Sequence, residues 1–138
     1  MAQLTANQVN IYDVYPSNLN SIGVLASSEI WKGSAVGNSS GYGRQLVAAD
    51  VFLGFAEQHV KETAGVNGGV SVPIVRSGVI QAAITGAVVT DVNRAVYMSD
   101  GNTFTYTSSG NTLIGRVIRF ISAGVVDVVF GQDIQAAS

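Results

Sequence analysis

The stretch Leu113-Ile114-Gly115-Arg116-Val117-Ile118-Arg119-Phe120-Ile121-Ser122-Ala123-Gly124-Val125-Val126-Asp127-Val128-Val129-Phe130 decides the fold class. Val and Ile branch at Cβ, which stiffens the side chain and suits it to a pleated sheet. The stretch carries no charged face of the kind a solvated helix needs. Small residues at Ser122-Ala123-Gly124 interrupt it, so Leu113 to Ile121 and Val125 to Phe130 read as the two arms of a hairpin. Arg116 and Arg119 face opposite ways in the first arm, so one points outward while the other is placed to meet an acid, Asp127, on the second.

The same texture continues upstream. Ala95 to Met98 and Thr103 to Thr107 flank Asp100-Gly101, a strong hairpin signal because such turns call for positive φ. Val79 to Ile84 follows Gly78, and Val70, Val72 and Ile74 alternate with Ser71 and Pro73. Pro73 has no N–H to give a ladder, so its stretch reads as an edge strand or a bulge. Ala35-Val36, Arg44 to Val47 and Val51 to Val60 read as short strands around a Gly/Ser/Asn loop at Gly37 to Gly43. Many short strands at close spacing predict an all-β chain, a small β-barrel or sandwich.

Composition agrees and excludes several functions. The 138 residues fit one domain. Charged residues make up only 12%, against about 25% in ordinary domains. A net charge of -2 argues against nucleic-acid binding, which needs a basic stripe to neutralise phosphates. With no cysteine there is neither a disulfide framework nor a thiolate site. No apolar run reaches the roughly 18 residues of a membrane helix. Met1-Ala2-Gln3-Leu4-Thr5 does not open a secretory signal, so synthesis in a cytoplasm is expected.

Residues 1–30 differ from the rest and are assigned to an N-terminal arm, with residues 31–138 as the β-domain. Asn7, Asn10, Asn18, Asn20 and Pro16 give the arm a loop-like texture. Yet Ile11, Tyr12, Val14, Tyr15, Leu19, Ile22, Val24 and Leu25 make it too apolar for a solvated tail. It should lie against its own domain, a neighbouring subunit or a partner.

No catalytic constellation emerges. Gly37-Asn38-Ser39-Ser40-Gly41 matches the nucleophile-elbow pattern G-x-S-x-G, but no helix follows to complete the elbow. The sequon Asn38-Ser39-Ser40 lacks a secretory context. His59 is the single histidine; in an extended Val51 to Val60 it shares a face with Glu57 and Lys61, too few groups for a metal. Asp13, Glu29, Asp50, Asp91, Asp100, Asp127 and Asp133 are scattered. Gly41-Tyr42-Gly43-Arg44 lacks the third glycine of a dinucleotide fingerprint. Arg76-Ser77-Gly78 slightly resembles one motif of trimeric dUTPases, whose catalytic and phosphate-binding motifs are missing. Trp31, Tyr42, Tyr97 and Tyr106 are candidates for a sugar-stacking platform, although strand aromatics more often pack in cores or between subunits. No catalytic residue, metal or cofactor is expected.

The order of the pieces does resemble a family. Trp31-Lys32-Gly33-Ser34-Ala35-Val36-Gly37, Phe52-Leu53-Gly54-Phe55-Ala56, Gly69 to Val75, Ala95-Val96-Tyr97-Met98-Ser99-Asp100-Gly101 and Asn111-Thr112-Leu113-Ile114-Gly115-Arg116-Val117 together resemble the small capsid-decoration (cement) proteins of tailed phages. The resemblance covers roughly residues 31–131. It implies a compact β-tulip barrel bound to the outer surface of the expanded head. The major capsid protein would be the partner, and homotrimers at threefold points the common arrangement. Such proteins often dock through an N-terminal arm, which would make Ile11, Tyr12, Val14, Tyr15 and Leu19 the capsid or intersubunit contact. The alternative is a fibre or tail module that recognises a receptor.

Overall fold

The computed structural model describes Ala6 and residues 19–131. Twelve strands and one short 3-10 turn (Val89–Asp91) make up the regular structure of that region. The first sheet holds β1 (Leu19–Gly23), β3 (Ala35–Ser39), β4 (Tyr42–Gln45), β5 (Val51–Ala56) and β7 (Ser71–Val75), in the order β1-β7-β5-β3-β4. The second holds β8 (Gly78–Ala83), β9 (Ala95–Asp100), β10 (Thr103–Thr105), β11 (Thr112–Ser122) and β12 (Val125–Phe130), in the order β10-β9-β11-β12-β8. A small ribbon pairs β2 (Glu29–Ile30) with β6 (Val60–Lys61). Every strand pairing is antiparallel. The chain is all-β and barrel-like, as its sequence predicts.

The first sheet curls until its edges meet. Val24, just past β1, bridges to Gly43 in β4, and the Leu25 N–H donates to the Gly43 carbonyl at 2.9 Å. Val24, Ile30, Val36, Ala56, Val72 and Ile74 fill this half-barrel. The larger core lies between the sheets, where Phe52, Phe55 and Phe130 meet edge to face around Val96, Met98, Ile114, Val126 and Val128. β12 shows the cause plainly: Val126, Val128 and Phe130 are buried and Val125, Asp127 and Val129 half-exposed, the period of two that a one-sided strand requires.

Several elements depart from the sequence reading. Residues 19–30 were placed in the arm, but β1 joins the first sheet, and Val24 and Ile30 are completely buried. Residues 37–43 are not a loop. β3 and β4 continue through them to a two-residue turn at Ser40 (φ 53) and Gly41 (φ 93), the double positive φ that matches strand twist. Val51 to Val60 is not one strand, because β5 ends at Ala56 and the chain turns before β6. Pro73 is interior: β7 lies between β1 and β5. Its carbonyl accepts from the Glu57 N–H, so its missing N–H points toward that same side, just past the end of β5. The Asp100-Gly101 hairpin forms, but Gly101 is there for closeness and not for φ. A Cβ on it would lie 2.5 Å from Ser34 Oγ, and its carbonyl accepts from the Ala35 N–H at 2.8 Å.

Candidate functional site

Ile11, Tyr12, Val14 and Tyr15 lie outside the described residues. Leu19 is the first residue of β1, opposite Val75, and is 42% exposed. Just beyond Val75, an apolar groove of 290 Å³ opens, lined by Phe55, Val75, Val79, Ile80 and Phe130 among others.

A second exposed apolar surface escaped the sequence reading. The β11–β12 hairpin end docks beside the 3-10 turn: the Gly124 N–H donates to Ala87 O, and the Asn93 N–H donates to Val117 O at 2.7 Å. Val88, Val89 and Val92 on that segment, with Ile118 and Ile121 on β11, stay exposed. Val89 reaches 64%, so the cluster is not core. Contiguous apolar surface of this kind marks contact sites. The signal in the sequence was the run Gly86-Ala87-Val88-Val89, which fits no strand and no solvated loop.

The segment carrying the valines is held firmly. Asp91 is buried and its Oδ2 accepts the Val88 N–H at 3.0 Å. That bond outweighs desolvation and, with Tyr106 and Arg94, holds the Asp91 carboxyl below the usual range. The Arg94 guanidinium lies over the Tyr106 ring, 4.0 Å from its centroid. Burial, and then the neighbouring Asp91, push the Tyr106 phenol up to about 12. Although the two groups are adjacent, the Tyr106 hydroxyl makes no well-formed hydrogen bond. The phenol is therefore neutral at physiological pH, and the cluster braces the turn.

The other sequence candidates separate in space. The extended run that would align His59 with Glu57 and Lys61 is broken, because β5 ends at Ala56. The His59 Nε2 lies 2.7 Å from Glu29 Oε2, and its ring stacks on Trp31 at 4.0 Å with an 8° interplanar angle. Trp31 is 52% exposed beside a cleft of 370 Å³ lined by Lys32, Ser34, Gln45 and Asn102. Tyr106 lines a different cleft of 480 Å³ with Phe104 and several threonines, and Tyr42 packs near Gly23 and Gly68, so the aromatics form no shared platform. Asn38-Ser39-Ser40 sits at the β3–β4 hairpin tip, where Asn38 Oδ1 accepts the Gly41 N–H. Arg44 is engaged by Asp50 through two hydrogen bonds, at 3.0 and 2.8 Å. Arg119 faces Asp127 across the hairpin and contacts it, while Arg116 reaches Asn93 O, as the opposed facing anticipates. Among the described residues, no three His, Cys, Asp or Glu side chains gather where they would hold a metal.

No family model matches the chain, and no curated protein matches its sequence. Among solved structures, the chain is similar to the N base of the head fibre gp8.5 of bacteriophage phi29. The TM-score is 0.50 at 17% identity, over 82% of this chain and 94% of that one. At that identity the likeness is one of fold.

Proposed function

We propose that this chain is a structural, non-enzymatic protein of a phage head, and specifically a decoration protein on the outer surface of the expanded capsid. The observation that carries the proposal is the likeness of fold to a phage head-fibre base, which spans nearly all of that domain. The ordered resemblance to cement proteins points the same way from sequence. Two exposed apolar surfaces on a low-charge β-domain suit a subunit that is covered in its assembly. In this reading Ile11, Tyr12, Val14, Tyr15 and Leu19 belong to the element that contacts the major capsid protein or a neighbouring copy in a homotrimer. Many weak contacts repeated over a symmetric shell then bind strongly together. No cofactor, nucleic acid or membrane takes part.

Co-sedimentation of the purified protein with undecorated heads of its own virus tests the proposal. Saturable binding to expanded heads but not to unexpanded procapsids is expected, with a stoichiometry in multiples of three. Binding to neither shell overturns it.

The exposed Trp31 beside a cleft of polar side chains favours a second reading, a receptor-binding fibre or tail module. Loss of glycan binding in Trp31→Ala would support that reading, and a blank glycan array with the unaltered protein would dismiss it.

A further inference from the structure

We infer that the cleft beside Trp31 is a binding site for an acidic sugar, which rests on the receptor-binding reading and gives that receptor a chemical class. Three separate elements build the cleft. Trp31-Lys32-Gly33-Ser34 is a turn closed by the Ser34 N–H, which donates to Trp31 O at 3.1 Å. Gly33 takes the positive φ (89°) that a type II turn puts on its third residue. The Gly33 N–H donates to Ala56 O at 2.9 Å, which pins the turn to the end of β5. Gln45, the last residue of β4, and Asn102, in the β9–β10 turn, complete the lining. The volume of 370 Å³ falls within the range of small-ligand sites, about 300–1,000 Å³.

Trp31 is held ready for a ligand. His59 covers one face of the indole at 4.0 Å, and Glu29 Oε2 lies 2.7 Å from His59 Nε2. His59 does not line the cleft, so the indole surface that does is the part His59 leaves bare. An aromatic side chain braced in one orientation meets its ligand with little rotamer freedom left to lose. A bare indole suits a pyranose ring, which is apolar on its C–H face and ringed by hydroxyl groups.

The remaining groups match that ring of hydroxyls. Gln45 Nε2 donates to Glu29 O at 3.2 Å, which orients the amide and leaves Gln45 Oε1 to accept. Ser34 Oγ donates to Ala35 O at 3.0 Å, so its lone pairs also accept. The Asn102 side-chain amide and the Lys32 ammonium have no hydrogen bond or ion pair among the described residues.

Charge sets the class of sugar. Lys32 is the cation of the lining, and no carboxylate lines the cleft. Acids on neighbouring elements are engaged or face elsewhere. Glu29 is taken by His59, and Asp100 accepts the Asn102 N–H and the Thr103 hydroxyl. Glu57 lines the separate groove that Lys32 also borders, without an ion pair to it. A carboxylate on the sugar therefore meets an ammonium whose charge is uncommitted. One cation is too few for a nucleic acid, whose phosphates need several.

The chain has a single tryptophan, so its fluorescence reads this cleft directly. The full-length protein is titrated with oligosaccharides carrying galacturonate, glucuronate or sialic acid, each beside its methyl ester. A saturable change with at least one acid is expected, with its ester bound about tenfold more weakly, the loss of one charge-assisted contact. Lys32 is exposed, so Lys32→Gln should keep its circular dichroism while binding acid and ester alike. Equal binding of acid and ester by the unaltered protein overturns the inference and leaves the receptor-binding reading standing. An undiminished preference for the acid in Lys32→Gln does the same. No change with any acid up to about 10 mM also overturns it. The receptor-binding reading falls with it only if neutral glycans fail to bind as well.

Discussion

The Glu62 carboxylate accepts the backbone N–H of Ser27, 35 positions earlier in the chain, at 3.0 Å. It also accepts the N–H groups of Ala64, Gly65 and Val66, so four donors converge on one buried side chain. This ties the turn after β1 to the loop between β6 and β7, a link that Ala26 N–H to Asn67 Oδ1 repeats. Gly69 must be glycine for the same reason: a Cβ there would press on Glu62 Oε2. Glu62→Gln keeps the shape but replaces an all-acceptor carboxylate with an amide whose NH₂ faces donors. A fall in Tm of several degrees is expected by calorimetry, with faster amide exchange confined to residues 24–28 and 62–70.

Three carboxylates give the fold a shared acid sensitivity. Glu62 is held low chiefly by the Ser27 N–H, Asp50 by Arg44, and Asp91 by the Val88 N–H. A group held low in the folded chain stabilises it fully above its unfolded value of about 4. That stabilisation is lost as pH falls toward the folded value. Urea midpoints should therefore be flat from neutral pH to about 5 and drop below about 4. Asp50→Asn should cost about 1.5–3 kcal/mol at neutral pH, since it removes a charge-assisted pair, and should make the acid limb shallower. An unchanged acid limb in that variant would show that Asp50 plays no part in it.

The strands were legible because their signal is local. The β12 alternation and the Ala123-Gly124 turn need only neighbouring residues to be read. What governs sheet order is not local. Pro73 looked like an edge residue because the sequence cannot show that β5 ends at Ala56, where the missing N–H is harmless. Glu62 drew no attention in the sequence, because nothing in Lys61-Glu62-Thr63-Ala64-Gly65 shows that Ser27 will reach it. Trp31 and His59 stack although 27 residues intervene, since the β2–β6 ribbon brings their neighbours Ile30 and Val60 into register.

Gly101 and Ser34 form a testable pair. A methyl at Gly101 would press on Ser34 Oγ, while its next nearest atoms stand at 3.4 Å or more. Both residues are buried, so overpacking should make Gly101→Ala cost about 1–3 kcal/mol. Ser34→Ala removes the offending oxygen. Combined with Gly101→Ala, it should restore most of the loss, giving a coupling energy of about 1 kcal/mol or more in a double-mutant cycle of urea midpoints. Strict additivity would place the strain elsewhere.

The exposed apolar surface shared by the Val89–Asp91 turn and β11 separates folding from docking. Val89 is 64% exposed and Ile121 46%, and neither belongs to a core cluster. A carboxylate at either position stays in water, so Val89→Glu and Ile121→Glu should each shift stability by no more than about 0.5 kcal/mol. If this surface seats against a capsid subunit, the same carboxylate is forced into an apolar contact and left unpaired. Head binding should then weaken at least tenfold in each variant, read as a rightward shift of the co-sedimentation isotherm. The exposed Thr90, between Val89 and Asp91, supplies the control, because Thr90→Ser on the same segment adds no charge and should bind normally. Unaltered binding by both glutamate variants would leave the face around Leu19 and Val79 to carry the docking.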